Sequence, residues 1–582
     1  MHDVFYDTAD DLGVLIYHDA MYSGAKLNNP YVPHPSVQEE TELRHQVRRL
    51  ACHPSLVIWD SCNECSGGGV YDSFVASTIV QEDASRAIWP SCPSNGWVSG
   101  VDRLTGLPNG RLLLTRTNVT HVIETHGFYQ HGTGFPGFPT VNNQRPEPSV
   151  VVDLPVSLAL GQERGFAHRG VFASEFGAAV MSSFESMSAT LAPEHWGIHG
   201  GGPADECAPK EWCNGSNPMS QRNYGCDNLI AAFFGSNAAS VLALNSTGEV
   251  AFQRQLYLCM MAQALWMKSE IEKRRSDNQH GLLTWQLNEI WPTGGWGSVE
   301  YGYNAQQGQV VGGRWKPLHY MYTAHLFRDQ IAVCGRDGRC VVRNDDPIRS
   351  FIGVLELSLA HLPAGDVVIL NRTDVSVVRG AASFWWRCLG EGSIDDGTCA
   401  PMSVVLASAG CAPSGADCLL LYRLTNALSH TVDEHVAWLA PPYLYTEGSM
   451  QHGIVVPLCM LSPFRIAALP ECILNVSIGV PQADGRVPVT VRSSAAGTAS
   501  VFMRMRIPLC IDSALRCCLA ACPAAMLVQL TTLAAGRFSE NGFYLWAGAE
   551  SKTVLFIPFA ALDLELLRRS TRAEHLRQYL LP

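Results

Sequence analysis

The chain has 582 residues, of which 47% are apolar and 16% charged, and its formal net charge is −12. Length predicts about three or four domains, and composition predicts packed cores rather than disorder. The acidic balance and the absence of any lysine- or arginine-rich run argue against a nucleic-acid partner. No apolar stretch reaches the roughly 18 to 20 residues of a membrane helix, so no membrane partner is expected.

The opening stretch, MHDVFYDTADDLG, has acids where a signal peptide needs a basic and then an apolar region. Twenty cysteines, with N-x-[ST] sequons at Asn118, Asn214, Asn245, Asn371 and Asn475, nonetheless favour an oxidising compartment. Through residue 330, short apolar strands alternate with helical stretches: GVLIYHD (13–19), SLVIWDS (55–61), HVIETHG (121–127), GVFASEFG (170–177) and GLLTWQLNE (281–289). Each runs into glycine, proline or polar residues, the pattern of parallel strands with helical crossovers. ETELRHQVRRLACH and QRQLYLCMMAQALWMKSEIEKRRS space their apolar residues as helices that cover a sheet. The glycine- and proline-rich stretch between Ile198 and Asn228 predicts a long surface loop carrying a glycan or a disulfide.

After about Arg339, VVRNDD, FIGVLELSLAHL, DVVILNR, SVVLASA and DCLLLYRLTN, then VPVTVRSS, TASVFMRMRI and KTVLFIPF, predict two β-sandwiches with a boundary near 457–463. The closing LDLELLRRSTRAEHLRQYLL has helical spacing. The resulting domains are 1–330, 331–456 and 457–582.

Three strands of the first domain end in reactive or sugar-compatible groups: Asn63 and Glu64; Glu175; and Trp285, Asn288, Glu289 and Trp291. Retaining glycoside hydrolysis needs two carboxyl groups roughly 5 to 5.5 Å apart, one protonated to assist the leaving group and one ionised to attack the anomeric carbon. A tryptophan offers a pyranose ring an apolar face, and asparagine can bond its hydroxyls. Asp19, ending an earlier strand, is expected to face the same pocket. His126 and Tyr129, in THGFYQHG, are expected contacts in a loop after a strand. His53 and Trp59 are better explained by packing, and the C-x-x-C of Cys62 and Cys65 by a fortuitous spacing or a local disulfide.

HPSLVIW..CNE, FASEFG, TWQLNEIWPTGGWGSVEYG, GRWKPLHY and FSENGF, in that order, resemble the β-mannosidases of glycoside hydrolase family 2. The resemblance implies a (β/α)8 TIM barrel over 1–330 that lacks its first strands, followed by two immunoglobulin-like β-sandwich domains. It assigns the general acid/base to Glu64, the nucleophile to Glu175, and the platform under the terminal sugar to Trp285. It implies a retaining exo-β-mannosidase acting on β-mannoside oligosaccharides, with no metal or organic cofactor, in the lysosome or outside the cell. Relatives carry further β-domains and two barrel strands ahead of the matching stretch. The chain is therefore expected to be part of a longer protein or a remnant, and the first alternative also accounts for the missing signal peptide. Competing functions are an endo-β-mannosidase or other β-glycosidase of the same clan, and a catalytically inactive carbohydrate-binding remnant. Oligomeric state is not legible.

Overall fold

In the computed structural model the described residues are 1–23, 36–64, 70–89, 92, 101–106, 112–116, 122–130, 170–201, 218–222, 226–277, 279, 281–302, 313–361, 367–379, 383–393, 397–412, 415, 417–438, 472–495, 524–546, 551–559 and 561–579. They fall into two compact units, one of which gathers Met1–Phe128, Arg164–Phe176 and Asn278–Thr284.

In that first unit, α1 (Asp3–Leu12) leads into β1 (Ile16–Asp19), α2 (Val37–Leu50) into β2 (Leu56–Asp60), and α3 (Val70–Glu82) into β3 (Ala87–Trp89). The three strands form one parallel sheet in chain order, the arrangement that helical crossovers enforce. α2 starts where Ser36 and Glu39 form a reciprocal capping box, and its basic residues Arg48 and Arg49 lie in the last turn, where the helix dipole favours them. Its apolar stripe, Leu43, Val47 and Leu50, packs with Val75, Ile79, Ile16, Leu56 and Trp59. Trp59 donates its indole N–H to Asp83, 2.9 Å away, and His53 pairs with Asp10 at 2.7 Å, so both residues are structural as expected.

An antiparallel hairpin of β4 (Val101–Gly106) and β5 (Leu112–Arg116) follows, which the sequence reading did not anticipate. A second sheet then places β6 (Val122–Gln130), β7 (Gly170–Ala178) and β8 (Gly281–Leu282) side by side, with β7 and β8 parallel. β8 is only two residues long, far shorter than GLLTWQLNE suggested. Beyond Leu282 the chain leaves the ladder, except that the Leu283 amide still donates to Ala173.

The second unit gathers Tyr129–Glu163, Gly177–Asp277 and Trp285–Pro582. Its long helix α5 (Glu249–Ser276) follows α4 (Asp227–Ala238), and a disulfide joins Cys226, just before α4, to Cys259 in α5. A disulfide was one of the two features, with a glycan, expected of the loop that ends near Asn228. From Gln255 to Met267 every α5 residue is buried, so the helix runs through a core rather than along a surface. Two of its buried amides donate to backbone carbonyls: the Gln255 side chain to Ala243 at 2.8 Å and the Gln263 side chain to Ala178 at 2.7 Å.

The sandwich sheets come next. β9 (Gln330–Cys334), β10 (Arg339–Asn344) and β13 (Ser383–Cys388) form one sheet, and β11 (Phe351–His361), β12 (Val367–Val377), β14 (Cys418–Asn426) and β15 (Thr431–Trp438) another. Ala332, Val342, Leu355, Leu357, Leu420 and Leu424 are among the side chains that pack between them. Disulfides Cys334–Cys340, Cys388–Cys399 and Cys411–Cys418 staple this region locally. His325 anchors α5 to β15, bonding Glu272 at 2.8 Å and Asp433 at 2.6 Å. Burial opposes the charge on His325, but these two carboxylates outweigh it and raise its pKa.

The last sheets are β16 (Cys472–Ile478), β17 (Val487–Ala495), β21 (Ser551–Pro558) and β19 (Gly536–Phe538), and β20 (Phe543–Trp546), β18 (Ala524–Thr531) and β22 (Arg572–Glu574). Val487, Val489 and Val491 alternate along β17 and reach one core with Val528, Leu530 and Phe556, the period-two signature of a sheet with one buried face. Two expectations need correction here. SVVLASA is a helix, Met402–Ser408, because Met402 and Leu406 bury one face four residues apart. The closing segment is not one helix: β22 interrupts it between Leu564–Ser570 and Leu576–Tyr579, where Arg572 pairs with Glu185 at 2.7 Å. TASVFMRMRI and the boundary near 457–463 lie outside the described residues.

Candidate active site

Parallel strands in register bring their C-terminal residues to one edge. Asp19 at the end of β1 pairs with Asp60 at the end of β2, and Asp60 with Trp89 at the end of β3. One step further, Ser23, Asn63 and Cys92 are joined by parallel bridges, and the Asn63 amide donates to the Tyr22 carbonyl at 3.0 Å. Glu64 follows with φ +53°, a left-handed conformation that costs a non-glycine residue about 1–2 kcal/mol. Its amide bonds the Cys92 carbonyl, and its side chain is 51% exposed. Cys62 is disulfide-bonded, and Cys65 lies outside the described residues.

His126 meets both candidate carboxylates with one atom. Its Nε2 lies 2.8 Å from Oε1 of Glu175 and 3.2 Å from Oε1 of Glu64. One oxygen of Glu64 and one of Glu175 lie within 4.8 Å of each other. His126 and Tyr129 sit inside β6 rather than in a loop after a strand, because that strand continues to Gln130. On the far side of the ring, Nδ1 is 3.1 Å from Ser174 Oγ and 3.3 Å from Cys92 Sγ, and Ser174 donates to the Thr125 carbonyl at 3.3 Å. Burial works against the imidazolium, but the hydrogen bonds and charges of Glu175 and Glu64 overcome it and raise the His126 pKa to about 9.

Two further carboxyls resist ionisation. Burial, then the neighbouring Asp19 charge, raises Asp60 to about 8, although it accepts from the Tyr17 hydroxyl at 2.5 Å. Asp19 stands exposed at the strand end, yet the protein around its carboxyl and the Glu175 charge push it up to about 7. Solvent on its open side screens part of that effect.

Tyr129, Trp285 and Asn288 fall in the second unit. Tyr129 approaches Trp296 edge-on, with ring centroids 6.4 Å apart. Trp285 is 40% exposed, and exposed Asn288 donates its amide to the Glu289 carbonyl at 3.2 Å. Two glycines of the recognised motifs have steric reasons. A Cβ on Gly177 would lie 2.0 Å from the Trp285 carbonyl oxygen, and one on Gly295 would lie 2.0 Å from Oε2 of Glu289. Glu289 is buried with Lys316, Nζ to Oε1 2.6 Å, and Lys316 also donates to the Val180 carbonyl.

Sequence reasoning missed Asp60, Cys92, Glu124 and Ser174 as neighbours of the site. Glu124 and His126, two apart on β6, share one strand face, and that alternation was a usable signal. Cys92 had none, since its place depends on a bridge to Asn63. Among the described residues, clusters able to hold a metal include Glu64–His126–Glu175, Cys92–Glu124–His126 and Glu272–His325–His435.

Comparison with known proteins agrees with the motifs. Ig_mannosidase, an Ig-fold domain family, matches residues 515–579. β-Mannosidases of Bos taurus and Capra hircus are each 26% identical, over 57% and 55% of this chain and 34% and 32% of their own lengths. The matched stretch thus spans about a third of those curated relatives. Among solved structures, a β-D-mannosidase from Dictyoglomus thermophilum aligns over 100% of this chain and 55% of its own, with TM-score 0.56 and 15% identity. An exo-chitosanase from Amycolatopsis orientalis aligns over 99% and 59%, with TM-score 0.55 and 15% identity. The chain is therefore similar in sequence to β-mannosidases of glycoside hydrolase family 2 and in fold to glycoside hydrolases.

Proposed function

We propose that the chain contributes the catalytic machinery of a retaining exo-β-mannosidase that removes terminal non-reducing β-D-mannose from oligosaccharides and glycoproteins. The observation that supports this best is the single His126 nitrogen shared by Glu64 and Glu175, with carboxylate oxygens within 4.8 Å of each other. That spacing suits attack and proton donation at one bond; inversion needs roughly 6.5–9.5 Å between carboxyl groups to admit a water.

In the first step an ionised Glu175 oxygen attacks the anomeric carbon as the glycosidic bond breaks, and Glu64 gives its proton to the departing oxygen. In the second, Glu64 takes a proton from water, the water oxygen bonds the anomeric carbon, and Glu175 leaves as a carboxylate. The motif resemblance proposes Asp19, Asn63 and His126 of the first unit as sugar contacts, and separately Trp285, Asn288 and Tyr129 of the second. The reading keeps a TIM barrel without its first strands over 1–330 and sandwiches over 331–456 and 457–582. It also keeps the lysosome or the outside of the cell as the location, where the described disulfides would persist. No described helix is long and apolar enough to cross a membrane.

Hydrolysis of aryl β-mannoside and aryl β-glucoside by the purified chain tests the proposal. Turnover of the mannoside with clear preference over the glucoside is expected. Preference for glucoside, or mannose-oligosaccharide binding without turnover, would overturn it in favour of another glycosidase or a binding remnant.

A further inference from the structure

The geometry points to a zinc-binding site formed by Cys92, Glu124 and His126. Sγ of Cys92 lies 3.0 Å from Oε1 of Glu124 and 3.3 Å from Nδ1 of His126, and the three ligand atoms are mutually within 4.8 Å. Tetrahedral zinc, with Zn–S about 2.3 Å and Zn–N or Zn–O about 2.0–2.2 Å, holds sulfur roughly 3.5 Å from its other donors. The two sulfur distances would open by about half an ångström or less to reach it. Ser174 Oγ, 3.1 Å from the same Nδ1, or a water supplies the fourth position.

The donors are the right kind. A mixed set of sulfur, imidazole nitrogen and carboxylate oxygen suits zinc, whereas calcium and magnesium take oxygen shells. The support around them matches a metal centre as well. The Trp89 indole N–H holds the other Glu124 oxygen at 3.2 Å, leaving Oε1 turned toward the sulfur. Nε2 of His126 is 2.8 Å from a Glu175 oxygen, the carboxylate–histidine pairing that orients metal-bound imidazoles. Cys92 is 4% exposed and unoxidised, so its thiol is shielded from bulk reagents. On binding, Cys92 and Nδ1 each release a proton to solvent as their bonds to zinc form. The +2 of the ion replaces those two protons, so the cluster's total charge is unchanged.

The site stands whether or not the chain hydrolyses mannosides, and its test does not use activity. The chelator-treated full chain is titrated with cobalt(II), a spectroscopic stand-in for zinc. Growth of a thiolate-to-cobalt charge-transfer band to one equivalent is expected, with zinc abolishing it. Cys92→Ser should lose the band, His126→Asn should weaken cobalt binding at least tenfold, and Cys52→Ser, at an exposed cysteine, should retain it. X-ray absorption at the zinc edge of the wild-type chain, which needs no variant to fold, should show one sulfur among nitrogen and oxygen neighbours. No band, a band that survives in Cys92→Ser, or a shell of three or four sulfurs would overturn the assignment.

Discussion

Replacing Lys316 with methionine isolates the energetics of the loop that follows β8. Lys316 and Glu289 are 0% and 1% exposed in their side chains, and the ammonium is the counter-charge 2.6 Å from the carboxylate. Burial raises the Glu289 pKa even with Lys316 beside it. Removing the lysine leaves a buried carboxylate without its partner, a change that costs about 3–5 kcal/mol. For a cooperative unit of a couple of hundred residues, that is roughly 6–20 °C in melting midpoint. The sign of the pH dependence follows from the raised pKa. A carboxyl whose folded pKa lies above its unfolded value is tolerated when protonated at low pH and costs stability as pH rises through the folded pKa. The deficit of Lys316→Met against wild type should therefore be small near pH 4.5 and grow toward pH 8. Melting curves of both chains across that range measure it, and Lys316→Met/Glu289→Gln, which removes both charges, should recover more than half of the loss at pH 8. A deficit independent of pH, or no recovery in the double variant, would refute the reasoning.

The candidate carboxylates make separable predictions. Glu175→Ala should abolish hydrolysis of every β-mannoside, whereas Glu64→Ala should still form the glycosyl-enzyme from an activated aryl mannoside and regain turnover with azide, yielding β-mannosyl azide on chromatography. Azide rescue of Glu175→Ala with α-mannosyl azide would reverse the assignment. Gly177→Ala should lower the melting midpoint by several degrees and activity with it, since its Cβ would fall 2.0 Å from the Trp285 carbonyl. Cys226→Ala/Cys259→Ala opens a loop with a sequence separation of 33 and should cost about 2–4 kcal/mol in urea unfolding.

Strand existence was legible where apolar runs met turn residues, as at Ile16–Asp19, Leu56–Asp60 and Gly170–Ala178. The run ending at Glu289 misled because Leu283, Trp285 and Leu287, apolar in alternation as in a strand, are exposed here rather than packed in a ladder. SVVLASA misled because two adjacent valines outweigh a short helix in propensity, although Met402 and Leu406 decide the outcome by burial. Glu64 and Glu175 could be named because ordered motifs carried them. His126 could be named as a contact, but not its place between both carboxylates, and Cys92 could not be named at all, since these positions depend on pairings between segments distant in sequence, which no local pattern encodes.

The left-handed backbone at Glu64 has a consequence for how selection has weighed stability at this position. Glycine adopts φ +53° without the steric penalty that glutamate carries, so a chain selected for stability alone would hold glycine there. Glu64→Gly should therefore unfold no more easily than wild type, and up to about 1 kcal/mol less easily, the lost penalty being partly offset by the freer unfolded chain. If the same variant also loses turnover of an unactivated β-mannoside, Glu64 is held in place by chemistry rather than by stability.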